Sequence, residues 1–106
     1  MLTNGTGVFA QSVAHYVLAL LHAHASGLWE TRDAQRAHRW APRQIKTLER
    51  DTLLVVGLGA IGCAIAELAA ATGVIVHAVR RTPSECNAPV HRIFLTAELH
   101  TALEAP

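Results

Sequence analysis

The alternation of apolar and polar positions divides the chain into three segments of different character. Residues 1–27 contain one long apolar stretch, and residues 28–51 are mostly polar and basic. Residues 52–106 contain short apolar runs that are separated by glycine and polar residues. This pattern predicts an α/β fold in which a long apolar helix and a polar spacer precede a small parallel sheet.

The first segment predicts a turn that is followed by one long helix. Asn4, Gly5 and Gly7 favour the turn, because these residue types are frequent in turns. The apolar residues from Val8 to Ala25 recur with helical spacing, and Gly27 is placed to cap the C-terminus. The expected apolar stripe consists of Val13, Val17, Leu20, Leu21 and His24, widened by Ala14 and Leu18. A stripe this broad should be covered by other elements over most of its surface.

The second segment predicts a short polar helix and a connector. Leu28–Trp40 is typical of a helix on the protein surface, and Thr31 is a residue type that caps helix N-termini. Pro42 should end this helix, and Arg43–Asp51 should form a polar connector. A thin apolar seam is expected at Ala34, Ala37 and Trp40.

The third segment predicts a partial Rossmann-type unit. Leu53–Val56 is an uninterrupted apolar run of the kind found in strands that are buried on both faces of a parallel sheet. Ala60–Ala71 should form a helix that Gly73 closes, and Val74–Val79 a second buried strand. The apolar side of that helix is expected at Ile61, Ile65, Leu68 and Thr72. A further strand and helix are predicted at Val90–Leu95 and Ala97–Leu103.

The glycine spacing between the first strand and the helix indicates a dinucleotide site. Gly57 allows a tight turn, Gly59 lets a pyrophosphate approach the backbone, and Gly62 lets the helix pack closely on the strand. The start of the helix then offers free N–H groups to the phosphates. The spacing alone is a weak signal, but here it follows a predicted strand and opens a predicted helix.

The end of the second predicted strand indicates which dinucleotide is bound. NAD sites usually have a carboxylate there, which accepts hydrogen bonds from the ribose 2′-hydroxyl. This chain instead has Arg80 and Arg81, followed by the hydroxyl of Thr82. Guanidinium groups bind phosphate oxygens well, so these residues favour NADP over NAD. The alternative is a pair of solvated arginines at a strand end.

Composition and charge exclude several classes of function. The net charge of +1 provides no electrostatic case for binding nucleic acid or an anionic membrane. Cys63 and Cys86 are too few for a disulfide scaffold, so we expect both to be unpaired in a reducing compartment. A signal peptide begins with a positively charged region, but no Lys or Arg precedes Arg32. We therefore expect a cytoplasmic protein. The spacing of the histidines favours solvated or packed side chains over a metal site.

Three stretches together resemble the D-isomer-specific 2-hydroxyacid dehydrogenases, and in particular their glyoxylate and hydroxypyruvate reductase branch. They are TNGTGVFAQSVAHYVLALLHAHA, RDAQRAHRW and LLVVGLGAIGCAIAELAAATGVIVHAVRRTP. The resemblance covers nearly the whole chain and weakens after Pro83. It implies an oxidoreductase that uses NAD(P) and acts on CH–OH groups of small 2-hydroxy or 2-oxo acids.

The resemblance also assigns roles to parts of this chain. Residues 1–27 match the turn and helix between the family's two domains, and residues 28–51 match a segment that often helps to form a homodimer. Residues 52–106 match the start of the NAD(P)-binding domain. Ala60, Ile61 and Gly62 match contacts to the cofactor pyrophosphate, and Arg80 and Arg81 match positions that favour NADP.

No histidine or arginine of this chain matches the family's catalytic positions. In the family, the catalytic arginine, carboxylate and histidine lie further along the sequence, so we expect this chain to be a fragment without catalytic residues. Two other hypotheses remain open on the sequence. In the first, the chain is a dinucleotide-sensing Rossmann module without catalysis. In the second, it is a remnant that binds nothing.

Overall fold

The computed structural model describes residues 5, 7–82 and 86–106 and confirms the α/β class. Two helices come first, and three strands and two further helices follow. In chain order the elements are α1 (Ala10–Ala25), α2 (Leu28–Arg36), β1 (Thr52–Val56), α3 (Ala60–Ala71), β2 (Ile75–Arg80), β3 (Arg92–Leu95) and α4 (Leu99–Glu104), the last preceded by a 3₁₀ turn at Thr96–Glu98. No helix in the described part of the chain is both long enough and apolar enough to cross a membrane.

The three strands form one parallel sheet in the order β1-β2-β3. The central strand β2 is the most buried, and Val76 and Ala78 are at most 1% exposed. The prediction that the first strand is buried on both faces is wrong. Only Val55 is buried in β1, because its face of the sheet packs against Leu18 of α1 and Ala66 of α3. Val56 points to the opposite face and is 65% exposed.

Helix α1 packs on α3 through small side chains. Ala10 and Ala14 of α1 form a buried cluster with Ala64 of α3. Leu18 continues this contact into a larger core with residues of the sheet. The predicted stripe is therefore wrong in its centre, because Leu20 and His24 are exposed. Close approach of two helices selects alanine, whereas the periodicity of large apolar residues does not reveal the contact face.

The bounds predicted for α3 are confirmed, but its predicted apolar face is only partly correct. Ile65 and Leu68 are half-buried against the core, whereas Ile61 is 44% exposed. The fully buried positions are small residues, namely Gly62, Ala64, Ala66 and Ala69. The helix thus lies close to both the sheet and α1.

The start of α2 differs from the prediction. Gly27 has a left-handed backbone (φ 68°) between Ser26, the C-cap of α1, and the first residue of α2. Thr31 is not the cap, since it lies inside the helix and its hydroxyl donates to the Gly27 carbonyl oxygen at 3.0 Å. Of the expected seam only Ala34 is buried, and Trp40 is 90% exposed beyond the end of the helix.

The prediction that Cys63 and Cys86 are unpaired is wrong. Their sulfur atoms form a disulfide, and their Cα atoms are 5.9 Å apart. This separation is within the range of about 4.4–6.8 Å that disulfides usually span. The chain returns to the start of α3 after leaving β2, and a separation of 23 positions in the sequence conceals this proximity.

Candidate dinucleotide site

The turn that follows β1 is joined to β2 by a hydrogen bond. Gly57 has a backbone φ of 103°, which glycine adopts much more readily than other residues. Its N–H donates to the Val79 carbonyl oxygen at 2.8 Å. Arg80 is the residue after Val79. This hydrogen bond therefore places the turn at residues 57–59 (the glycine turn) directly beside residues 80–82 (the arginine segment).

Gly62 and Gly59 differ in what surrounds them. A Cβ atom at Gly62 would overlap the carbonyl oxygen of Gly57 and lie 3.3 Å from Cγ1 of Val55. The close packing of helix on strand that the sequence predicts at Gly62 is therefore present. A Cβ atom at Gly59 would meet none of the described residues within 4 Å, so as far as these residues show, that side of the backbone is open to an approaching group.

The first turn of α3 has the chemistry of an anion site. The Cys63 N–H donates to the Gly59 carbonyl oxygen at 2.9 Å, and the N–H groups of Ala60, Ile61 and Gly62 precede it in the first turn. Such groups lack partners within a helix and carry its partial positive charge. No acidic side chain lies in this turn, and no side chain within the described residues caps it. A pyrophosphate fits this donor set.

The glycine turn lines a cleft of about 530 Å³, to which the N-terminal turn also contributes. The Val8 N–H donates to the Gly5 carbonyl oxygen at 3.0 Å, and Gly7 has a φ of 87°. Asn4, the other residue predicted for this turn, lies outside the described residues. Sequence reasoning assigned these glycines to a turn but missed their place in the cleft. The lining residues are Gly5, Gly7, Phe9, Ala10, Val55, Val56, Gly57, Gly59, Ala60, Ile61 and Gly62.

The end of β2 lies at the same edge of the sheet as the glycine turn. Arg80 is half-buried and is paired in register with Leu95 of β3, whereas Arg81 and Thr82 are exposed. The carboxyl ends of parallel strands meet at one edge, where open α/β sheets bind their ligands. The structure thus brings together the two groups of residues that the sequence predicts for cofactor binding.

One carboxylate near this edge escaped sequence reasoning. Glu98 Oε2 accepts a hydrogen bond from the Leu95 N–H at 2.8 Å, at the end of the strand next to β2. A glutamate three residues after a helix cap is a known spacing, and it is the only sequence signal for this contact. Glu98 therefore lies just beyond the end of β3, whose Leu95 is paired in register with Arg80.

A larger groove of about 770 Å³ lies between α2 and the connector. Leu28, Trp40 and Ile45 supply exposed apolar surface there, and Arg39 and Arg43 supply charge. The groove shares no lining residue with the cleft at the glycine turn. Its size therefore does not make it the dinucleotide site, because no glycine is among its lining residues.

Solved structures of dehydrogenases resemble this chain over most of its length. A glycerate dehydrogenase related protein from Thermoplasma acidophilum is 33% identical, with a TM-score of 0.68 over 79% of this chain and 30% of that chain. A D-isomer specific 2-hydroxyacid dehydrogenase family protein from Aeromonas salmonicida is 25% identical, with a TM-score of 0.78 over 96% and 32%. A D-isomer specific 2-hydroxyacid dehydrogenase from Xanthobacter autotrophicus, in complex with NADPH and MES, is 29% identical, with a TM-score of 0.74 over 93% and 40%.

The chain spans about a third of the length of these structures. Residues 18–105 match the family of the D-isomer specific 2-hydroxyacid dehydrogenase, NAD binding domain. This match covers the second half of α1, the spacer and the whole sheet, and it includes the glycine turn and the end of β2. The chain therefore belongs to the D-isomer specific 2-hydroxyacid dehydrogenase family, as part of its NAD-binding domain.

Proposed function

We propose that this chain is the NADP-preferring cofactor-binding part of a 2-oxo acid reductase of the glyoxylate and hydroxypyruvate type. The observation that carries the proposal is the position of Arg80, Arg81 and Thr82 beside the glycine turn, with no carboxylate among these three residues at the end of β2. The related Xanthobacter enzyme in complex with NADPH supports a phosphorylated dinucleotide. The preference for glyoxylate or hydroxypyruvate follows from the sequence resemblance.

The two parts of the site have separate tasks in this proposal. The turn at Gly57 and Gly59 and the N–H groups of Ala60, Ile61 and Gly62 bind the pyrophosphate, which NAD and NADP share. Discrimination then falls to the end of β2, because only the ribose 2′ substituent differs. Arg80 and Arg81 bind the 2′-phosphate, and Thr82 adds a hydroxyl donor.

The chemistry proposed for the whole enzyme is a hydride transfer. The bound nicotinamide exchanges a hydride with the C2 carbon of a 2-oxo or 2-hydroxy acid. By resemblance, an arginine holds the substrate carboxylate, and a histidine paired with a carboxylate moves the proton. None of these three matches a residue of this chain, so we propose that the 106-residue chain binds cofactor but does not turn over substrate.

We further propose that the spacer of residues 28–51 contributes to a homodimer in the cytoplasm. The groove at Leu28, Trp40 and Ile45 exposes apolar surface of the kind that protein partners cover. The homodimer itself is carried over from the family resemblance. Light scattering across a dilution series tests it, and a monomer at all concentrations would contradict it.

The test of cofactor choice is a titration of the chain with NADPH and with NADH at one fixed salt concentration. A charge-assisted hydrogen bond contributes roughly 1.5–3 kcal/mol, and about 1.4 kcal/mol is tenfold in affinity. We therefore expect NADPH to bind about tenfold more tightly or better. Arg80→Asp should reverse the preference by repelling the phosphate and accepting from the ribose hydroxyl.

The matched control is Arg36→Asp, which makes the same charge change at an exposed position of α2. It should leave the ratio of the two dissociation constants unchanged. Equal affinity for NADPH and NADH in the unmodified chain would show that the arginines do not bind the 2′-phosphate. Oxidation of NADPH with glyoxylate at a rate near about 10 s⁻¹, a typical enzyme value, would contradict the absence of turnover.

A further inference from the structure

The cross-link between Cys63 and Cys86 is a feature of the cofactor region that the proposed function leaves unexplained. Cys63 lies in the first turn of α3, and its Sγ is 3.9 Å from the carbonyl oxygen of Leu58. Leu58 is a buried residue of the glycine turn. The disulfide therefore begins within the same group of residues that faces the pyrophosphate.

The chain is attached on both sides of the arginine segment, by a hydrogen bond to the glycine turn and by the disulfide to the first turn of α3. Before the segment, the Val79 carbonyl oxygen accepts from the Gly57 N–H at 2.8 Å. After it, Cys86 is bonded to Cys63. Residues 80–82 lie between these two attachments, and only residues 81–85 separate Arg80 from Cys86. Closing this short connection limits the positions that Arg81 and Thr82 can adopt.

The cross-linked form leaves the site accessible. Arg81 and Thr82 are exposed, and none of the residues that the structure describes lies within 4 Å of a Cβ position at Gly59. The disulfide thus restricts the arginine segment without covering the position that a dinucleotide would occupy. A restriction of this kind strengthens binding, because less conformational freedom is lost when the ligand arrives.

We propose that the Cys63–Cys86 disulfide is a redox-controlled positioning element for recognition of the 2′-phosphate, an inference that rests on the proposed function. The oxidised chain binds NADPH more tightly than the reduced chain. The two forms bind NADH equally, because NADH has no group for the arginine segment to hold. Disulfides of proteins in reducing compartments are usually transient and often redox-sensing. Both cysteines here are half-buried rather than fully buried, so a small thiol or disulfide can reach them.

The chemistry is a thiol–disulfide exchange with a small disulfide such as an oxidised monothiol. The thiolate of one cysteine attacks that disulfide, which forms a mixed disulfide and releases one thiol. The second cysteine attacks the protein sulfur of the mixed disulfide and releases the second thiol. Two protein thiols are oxidised to one disulfide while one small disulfide is reduced to two thiols.

The test measures NADPH and NADH binding by the 106-residue chain in its oxidised and reduced forms. Titration of free thiols confirms each form, and circular dichroism confirms that the fold is retained. Reduction should weaken NADPH binding about three- to tenfold, up to the scale of one charge-assisted hydrogen bond. NADH binding should not change. The control is the double variant Cys63→Ser and Cys86→Ser, which should bind as the reduced chain does and ignore reductant.

A reciprocal measurement uses only the unmodified chain. If oxidation raises NADP affinity by some factor, saturating NADP⁺ must shift the disulfide equilibrium toward the oxidised form by the same factor. Equal NADPH affinity in both forms, or an equal loss for NADPH and NADH, would overturn the positioning role and leave the proposed function intact. Failure to bind either dinucleotide in either form would overturn both.

Discussion

The glycine turn and the end of β2 lie side by side at one edge of the sheet but differ in how they are held. The turn is fixed by backbone contacts. The Gly57 carbonyl oxygen occupies the position that a Cβ atom at Gly62 would take, and the Gly57 N–H donates a hydrogen bond to the Val79 carbonyl oxygen. The end of β2 instead presents exposed side chains at Arg81 and Thr82. Backbone packing suits a group that all dinucleotides share, and side chains suit the group that differs.

The largest effect is expected from a substitution in the packed region. Gly62→Ala places a methyl group against the Gly57 carbonyl oxygen, and Gly57 cannot move without disturbing the hydrogen bond that its N–H donates to Val79 of β2. Overpacking typically lowers the free energy of unfolding by about 1–3 kcal/mol. We expect a loss of that size and a loss of binding of both dinucleotides. Urea unfolding followed by circular dichroism measures the first, and titration measures the second.

Gly59→Ala is the matched comparison, because it adds the same methyl group where the structure has open space. The free energy of unfolding should change by less than about 1 kcal/mol, the typical contribution of a helix cap. Binding should fall for NADPH and NADH alike, by about tenfold, if the methyl group keeps the pyrophosphate from the backbone. Unchanged binding would show that the pyrophosphate lies elsewhere.

A substitution at the exposed end of β2 should change NADPH binding without changing the free energy of unfolding. Arg81→Ala should leave the free energy of unfolding unchanged within about 0.5 kcal/mol, as surface substitutions usually do. It should weaken the binding of NADPH by up to about tenfold and leave the binding of NADH unchanged. Arg39→Ala, an exposed arginine of the spacer, is the control. A parallel loss of both dinucleotides would remove the distinction between the two regions.

The same distinction explains how much could be predicted from the sequence. Local signals gave the bounds of α3, the place of the turn and the residue types at the end of β2. The faces of α1 and α3 were misassigned, because alanines rather than large residues form the contact. The contact of Glu98 and the place of Gly7 in the cleft were not predicted, and the two cysteines were predicted to be unpaired, because each feature depends on neighbours that only the folded chain brings together.

The smallest expected effect concerns the buried part of β2, which precedes its exposed end. His77 is 2% exposed, its ring stacks on His91 at 5.7 Å, and its Nδ1 has no hydrogen-bond partner among the described residues. Burial, with added repulsion from His91 and Arg92, lowers the pKa of His77 below its ordinary value of 6.5. The unfolded chain therefore takes up a proton near pH 6.5 that the folded chain refuses.

The sign of the pH effect follows from this difference in protonation. The contribution of His77 to stability is complete above about pH 6.5 and is lost as the pH falls from there toward the lowered pKa of the folded state. His77→Phe removes the titrating group but keeps a ring beside Phe94. We expect the free energy of unfolding of the unmodified chain, measured by urea titration, to fall between pH 7 and pH 5. In the variant this fall should be smaller. His100→Gln, at an exposed position of α4, should retain the full decline. An equal decline in His77→Phe would show that the buried part of β2 tolerates a charge, and that the contrast between its packed interior and its exposed end is weaker than the burial indicates.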